Sequence, residues 1–414
     1  MNMRVSSRTI FETGMNQLSS LQSQLSRTQQ QLSTGRRVLT AADDPVASAR
    51  ALEVTQSKEM NDQFKINRQN ARASMSHVDL ALGTTGDLIK DIKTLIVNAG
   101  NPAQTQKDRD ALVIELEGRF SDLLGQANTA DGNGNFLFSG YRLNTQPFTQ
   151  TPGGAMYNGD QGLRELQAGS GRQLSISAAG SEVFEGALTG NGTFETKADP
   201  ANKGRGGSGI ISPGSVTDIT KLTGHQYALT FSVVPATPGV PAQTSYTITD
   251  TTTNTPVTPA PVPYKSGEAI NFDGIQFDIK GDVADQDVFT VDPSKQQSLF
   301  TTVRDLITAL KTAGDGPYAR ADLANKLNNA NQNIDNALDN VLSVRAKMGA
   351  GLKELDYLDD AGDGVDIQYQ TTLSQLMEID PVVAISMFTQ QQITLEAAQK
   401  SYKNISGLSL FNYI

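Results

Sequence analysis

Leu32-Ser33-Thr34-Gly35-Arg36-Arg37-Val38-Leu39-Thr40-Ala41-Ala42-Asp43-Asp44-Pro45-Val46 separates two helical patterns of different character, and the fold is read outward from it. Gly35 is placed to end the first helix, because glycine takes the left-handed conformation past a helix terminus without penalty. Asp43 or Asp44 can accept hydrogen bonds from the free N–H groups of a second helix. Pro45 at the first position of that helix removes no donor that it needs. One rod therefore stops and another starts within about ten residues. The stretch reads as a joint, not an active site.

Upstream lies an arm in which Phe11, Leu18, Leu25 and Leu32 recur at heptad spacing, with Leu21 on the adjoining seam position. From Thr13 to Gly35 its only charge is Arg27. A solvated surface helix carries charge pairs on its outer face, so this arm reads as one surrounded by protein. Alone it is marginal, because helices take most of their stability from packing. The other chain end repeats the pattern: Phe388, Gln391, Leu395, Ala398, Tyr402 and Ile405 form a stripe, and between Asp380 and Lys400 the only charge is Glu396. Leu408, Leu410 and Phe411 continue its apolar character. Two such arms predict an antiparallel terminal pair.

Between the arms, Pro45 to Ala99 carries Phe64, Ala71, Val78, Thr85, Ile92 and Ala99 at one heptad position and Ala81, Leu88 and Leu95 at the other. As one helix this spans roughly 80 Å. Thr105 with Asp108 forms a capping-box pattern ahead of Leu112, Leu116, Phe120, Leu123 and Ala127. Past Ala130-Asp-Gly-Asn-Gly the period becomes that of β structure, with a short strand predicted at Phe136-Leu-Phe138 and a hairpin from Leu163–Gln167 and Gln173–Ser177. From about Thr189 to Pro293 the composition shifts to Thr, Pro and Gly; Tyr227, Leu229, Phe231 and Val233 alternate, and Phe272-Asp-Gly-Ile275 reads as a tight turn. Ser294 with Gln297 reads as a helix restart, followed by Leu299, Val303, Leu306 and Leu310. Leu327, Ala330, Ile334, Ala337, Val341, Val344, Met348 and Leu355 then make a longer stripe. Asp359, Asp360, Asp363 and Asp366 around Gly362 and Gly364 read as a break mirroring Gly35. The expected fold is multidomain α+β: a long antiparallel helical bundle built from both chain ends, with short β elements and an inserted all-β domain. The expected divisions are arms at 1–42 and 366–414, a helical rod at 43–190 and 291–365, and the insert at 191–290.

Composition narrows the function. Zero Cys excludes disulfides and thiolate metal sites. A net charge of -10 without a basic cluster argues against nucleic-acid binding. No apolar run approaches the ~18 residues of a membrane span, and the N-terminus has no secretory-signal pattern. Gly204-Arg-Gly-Gly-Ser-Gly209 has dinucleotide-fingerprint spacing, but Pro200 and Pro213 stand where a strand and a helix are needed. Asp131-Gly-Asn-Gly-Asn135 starts like a calcium loop, yet Phe136 and Arg142 occupy its Gly and Glu positions. The histidines, His77 and His225, form no paired zinc motif. No catalytic, cofactor or metal residues are assigned.

Gln31 to Leu52 resembles the N-terminal signature of the flagellin superfamily, and Leu395 to Ile414 resembles its C-terminus. Asn135-Phe-Leu-Phe-Ser-Gly-Tyr-Arg-Leu-Asn-Thr-Gln-Pro-Phe148 resembles the segment after its helical bundle. Within that superfamily the hook-filament junction proteins are most similar. The resemblance implies a structural, non-enzymatic adapter without cofactor, set between hook-associated protein 1 and flagellin and self-associating as a ring or helix. It implies passage through the flagellar type III export apparatus with an export chaperone at the C-terminal arm, and an extracellular place in the flagellum without membrane insertion. Flagellin itself shares the arms and the Asp-Asp pair. Asp44-Pro-Val46, Ser139-Gly-Tyr141 with Pro147-Phe148, and the Ser409-Leu-Phe-Asn-Tyr-Ile ending favour the junction branch. The assembly residues implied are Phe11, Leu18, Leu21, Leu25, Leu32, Phe388, Leu395, Ala398, Tyr402, Ile405, Leu408, Leu410 and Phe411, with Gly35, Asp43, Asp44 and Pro45 as the joint.

Overall fold

Heptad stretches fold as helices and alternating stretches as strands in a computed structural model that describes residues 7–237 and 241–407. The first half contains α1 (Ser7–Thr34), α2 (Pro45–Ala99), α3 (Gln106–Ala127), β1 (Phe148–Thr151), β2 (Gly154–Tyr157), β3 (Glu165–Gly169), β4 (Arg172–Ser175) and α4 (Gly180–Glu185). Then come β5 (Phe194–Ala198), α5 (Asn202–Arg205), β6 (Ile210–Ile211), β7 (Ser215–Val216), β8 (Tyr227–Val234) and β9 (Gln243–Asp250). The strands end with β10 (Thr255–Pro256), β11 (Val262–Pro263), β12 (Ala269–Phe272), β13 (Ile275–Lys280) and β14 (Val288–Pro293). The helices α6 (Leu299–Lys311), α7 (Pro317–Met377) and α8 (Pro381–Gly407) complete the chain. Residues pack into two units, Met1–Ile66 with Tyr357–Ile414, and Asn67–Asp356; α2 and α7 contribute to both.

In the Asn67–Asp356 unit, α2 and α7 run antiparallel, tied by Arg72–Asp356 (2.7 Å) and Arg345–Asp79 (2.9 Å). The stripe read from sequence on α2 is buried at Ala71, Val78, Ala81, Thr85, Ile92 and Leu95, but so is a second one, Met75, Leu82, Ile89 and Ile96. A helix enclosed by more than one neighbour needs this wider apolar arc. The capping box of α3 is formed, with Asp108 and Thr105 bonding reciprocally. Beyond α3, the segment through Phe138 and Phe148 enters an aromatic cluster with Phe184 and Phe300. Its ring centroids are 5.5 Å (Phe138–Phe184), 5.3 Å (Phe148–Phe184) and 5.0 Å (Phe148–Phe300) apart. Such offset and edge contacts add to area burial.

Strands β8, β9 and β14 form the spine of a sheet ordered β10-β9-β8-β14-β5, and β12-β13-β6 forms another; Tyr227, Leu229, Phe231, Phe277, Ile279 and Phe289 fill the core of the insert. The tight turn has Asp273 and Gly274 at φ 43° and 77°, as a hairpin with two left-handed residues requires. The insert is seated on α7 by amides that the sequence reading missed. Asn325 accepts from Ile211 N (2.9 Å) and donates to Gly209 O (3.0 Å), Asn333 accepts from Gly190 N (2.8 Å), and Asn336 donates to Leu188 O (2.6 Å).

Three expectations fail. Phe136-Leu-Phe138 forms no strand: Phe136 makes an isolated bridge with Ala130, and Leu137 and Phe138 turn into the buried core instead of extending along a partner. α7 runs unbroken through Gly362 and Gly364 and stops only at Met377. Glycine costs a helix only about 1 kcal/mol, and the facing α2 holds this stretch: Lys65 pairs with Asp363 (2.8 Å), Lys58 with Asp366 (3.1 Å), and Asn61 donates to Gly362 O (2.9 Å). The acidic cluster is therefore a salt-bridged helix face. Ser294 does not restart a helix; its hydroxyl donates to Thr189 O (2.6 Å), and α6 begins at Leu299. Gly206, in the glycine-rich run, ends the short α5 at φ 88°. Among the described residues no group of three His, Asp or Glu is arranged to hold a metal ion, and no helix is long and apolar enough to cross a membrane.

Candidate assembly interface

Helices α1 and α8 lie antiparallel: the Phe11 and Tyr402 rings meet at 5.5 Å near one end, and Ile379 N donates to Gly35 O (3.0 Å) at the other. Leu18, Leu21, Leu25 and Leu32 of α1, and Phe388, Gln391, Leu395, Ala398 and Tyr402 of α8, are each half-buried in this pair. The structure thus brings together the two stripes read from sequence. A two-helix pair has only one seam, so few side chains disappear from solvent entirely; Thr28 and Ala384 are among those that do. Leu408, Leu410, Phe411 and the side chain of Ile405 lie outside the described residues.

The joint follows its expected chemistry. Gly35 takes φ 71° and ends α1. Asp44 Oδ1 accepts from Ala47 N (3.0 Å) and caps α2, whose first residue is Pro45. Asp43 Oδ2 accepts from Leu39 N and Thr40 N, both at 2.9 Å. The Thr40 and Ala47 N–H groups are the main reason that the Asp43 and Asp44 carboxyls titrate below the ordinary range. Val38, Ala47 and Ala51 are buried beneath it.

Sequence reading missed the matching joint. Its location is Glu378-Ile379-Asp380-Pro381, where Asp380 Oδ1 accepts from Val382 N (2.8 Å) and caps α8. The signal was present: Asp380-Pro-Val382 repeats Asp44-Pro-Val46. The two joints are stitched as a short antiparallel bridge between Arg36 and Glu378, with Arg37 N donating to Met377 O (2.8 Å). Nothing in the one-dimensional pattern pairs residues so far apart.

Around these joints large apolar side chains face solvent: Val46 (78% exposed) and Leu52 (70%) on α2, and Val382 (77%) and Ile393 (62%) on α8. Phe11, Met15, Val383, Ile385 and Met387 are also exposed. Scattered apolar exposure is ordinary, but much of this falls on α1 and α8, which carry few charges, and an apolar surface of that kind suits contact with protein.

Residues 5–142 match the family of the bacterial flagellin N-terminal helical region, and residues 201–293 match the D2-like domain of flagellar hook-associated protein 1. Over 99% of both chains, the protein is 25% identical to flagellar hook-associated protein 3 of Salmonella typhimurium. Among solved structures, flagellar hook-associated protein 3 of Legionella pneumophila is 27% identical with TM-score 0.73, covering 78% of this chain and 98% of that one. The Xanthomonas campestris protein FlgL is 27% identical with TM-score 0.69, covering 78% and 99%. With relatives named flagellar hook-associated protein 3 matching it from end to end, and with the flagellin N-terminal helical region at residues 5–142, the chain is similar along its whole length to the flagellar hook-associated proteins.

Proposed function

We propose that this protein is the structural adapter that joins the flagellar hook to the flagellin filament. The observation that carries this reading is the terminal pair: two nearly uncharged helices that bury only one seam against each other and leave Val382, Val383, Ile385 and Ile393 for further helices to cover. A tube of packed subunits supplies such neighbours. The partners proposed are hook-associated protein 1 below, flagellin above and further copies of the chain at the sides, with an export chaperone on the C-terminal arm before secretion. The assembly residues are Phe11, Leu18, Leu21, Leu25, Leu32, Phe388, Leu395, Ala398 and Tyr402, continued by Ile405, Leu408, Leu410 and Phe411. The arms at 1–42 and 366–414 form the assembly core, 43–190 with 291–365 the wall and 191–290 an outward domain. No reaction is assigned to it.

Copy number tests the reading. A junction subunit is present at a few copies per flagellum, so in sheared filaments it should be scarce beside flagellin. Finding this chain as the bulk protein of the filament would reassign it as a filament subunit.

A further inference from the structure

We infer that Arg27 and Arg37 are positioning residues, which fix the direction in which the paired arms leave the joint. Arg27 is the only charge between Thr13 and Gly35, in an arm whose composition otherwise avoids charge. It is directed at the joint, where its guanidinium meets Asp43 Oδ1 at 2.6 Å. Arg37 gathers more of the surroundings. Its Nη1 reaches Asp44 Oδ2 (3.2 Å), its Nη2 donates to Leu376 O (2.7 Å), and its carbonyl accepts from Gln31 Nε2 (2.6 Å). One residue therefore holds the end of α1, the cap of α2 and the last turn of α7. The fork of an arginine can serve a carboxylate and a carbonyl together; a lysine brings one point charge.

Both aspartates have separate duties, Asp43 toward Leu39 N and Thr40 N and Asp44 toward Ala47 N, so removing an arginine leaves the helix cap intact. Exposed single ion pairs are weak. Here the ties converge on one short bridge, and their loss should open that bridge locally without unfolding the helices. The consequence for assembly rests on the adapter reading: arms leaving the joint at many angles would meet neighbouring subunits in register only rarely.

Hydrogen exchange on the full chain tests the geometry. In Arg37→Ala, the Ile379 amide, which donates to Gly35 O, should exchange at least about tenfold faster. Arg37→Lys should fall between the variant and the parent, Arg27→Ala should accelerate the Leu39 and Thr40 amides, and amides in α3 and α6 should be unchanged. Unchanged exchange at Ile379, or acceleration spread equally into α3 and α6, would overturn the inference. Capping of isolated hooks gives the functional arm, with Arg37→Ala expected to cap at least about tenfold less well than the parent. Parent protein that caps hooks, with Arg37→Ala capping equally well, would overturn the positioning role. Parent protein that never caps hooks would instead refute the adapter reading.

Discussion

Gly14 stands inside a helix, where alanine is favoured by roughly 1 kcal/mol, yet a Cβ there would lie 2.8 Å from the Tyr402 ring. The glycine is a socket that fixes the register of α1 on α8. Gly14→Val should therefore separate the arms: amides of α8 from Leu395 to Tyr402 should exchange faster while those of α6 keep their protection, and equal protection throughout would show that register is set elsewhere. A second residue matters by its charge. Asp287 is fully buried; among the described residues its Oδ1 has no hydrogen-bond partner, and its Oδ2 accepts from Ala284 N (2.7 Å). Burial pushes its carboxyl pKa up, with that N–H opposing. A folded value above the unfolded one means that the insert is steadiest in acid with respect to this group, and loses stability as pH rises from the ordinary aspartate range through the raised value. Asp287→Asn should flatten that slope in melting curves followed at several pH values. An unaltered slope would assign it to another group. Asp250 behaves oppositely: burial opposes ionisation, but the Thr253 N–H and His225 bring it down to about 2, so its contribution is lost only as pH falls toward that value.

Among the elements, α7 is the one whose continuity surprises. Gly364 lies within it, and a Cβ there would meet nothing within 4 Å. Gly364→Ala should accordingly stabilise the chain by about 1 kcal/mol in a denaturant titration. A loss of stability would mean that the helix is strained or broken there. The contrast with Gly35, at φ 71°, is conformational: there any side chain is strained whatever the space. Both glycines look like breakers in a sequence, and only the backbone separates them. The true counterpart of the first joint, at Asp380-Pro381, carries no glycine at all. Its cap side chain and proline end one helix and begin another as effectively.

For the whole molecule, heptad and alternating patterns were enough to locate the long helices and the inserted sheets, since burial imposes those periods on any sequence that adopts them. The stitching of Arg36 to Glu378 and the Asn325 to Asn336 seat for the insert were not legible. Backbone acceptors leave no mark on residue type, and asparagines on a helix read as ordinary surface. The seat bears on how the insert can be removed. Thr189 N donates to Lys295 O (2.9 Å), which brings its two connections side by side. Deleting residues 191–293 should leave a chain that melts cooperatively with its helical signal retained, whereas a broad or absent helical transition would make the insert part of the core. The adapter role itself is tested most directly by adding the purified protein to isolated hooks that carry hook-associated protein 1, and then supplying flagellin. The protein should bind at the hook tip in a small fixed number of copies, and filament should grow only from hooks that received it. Hooks that grow filament equally well without it, or that never bind it, would contradict the account.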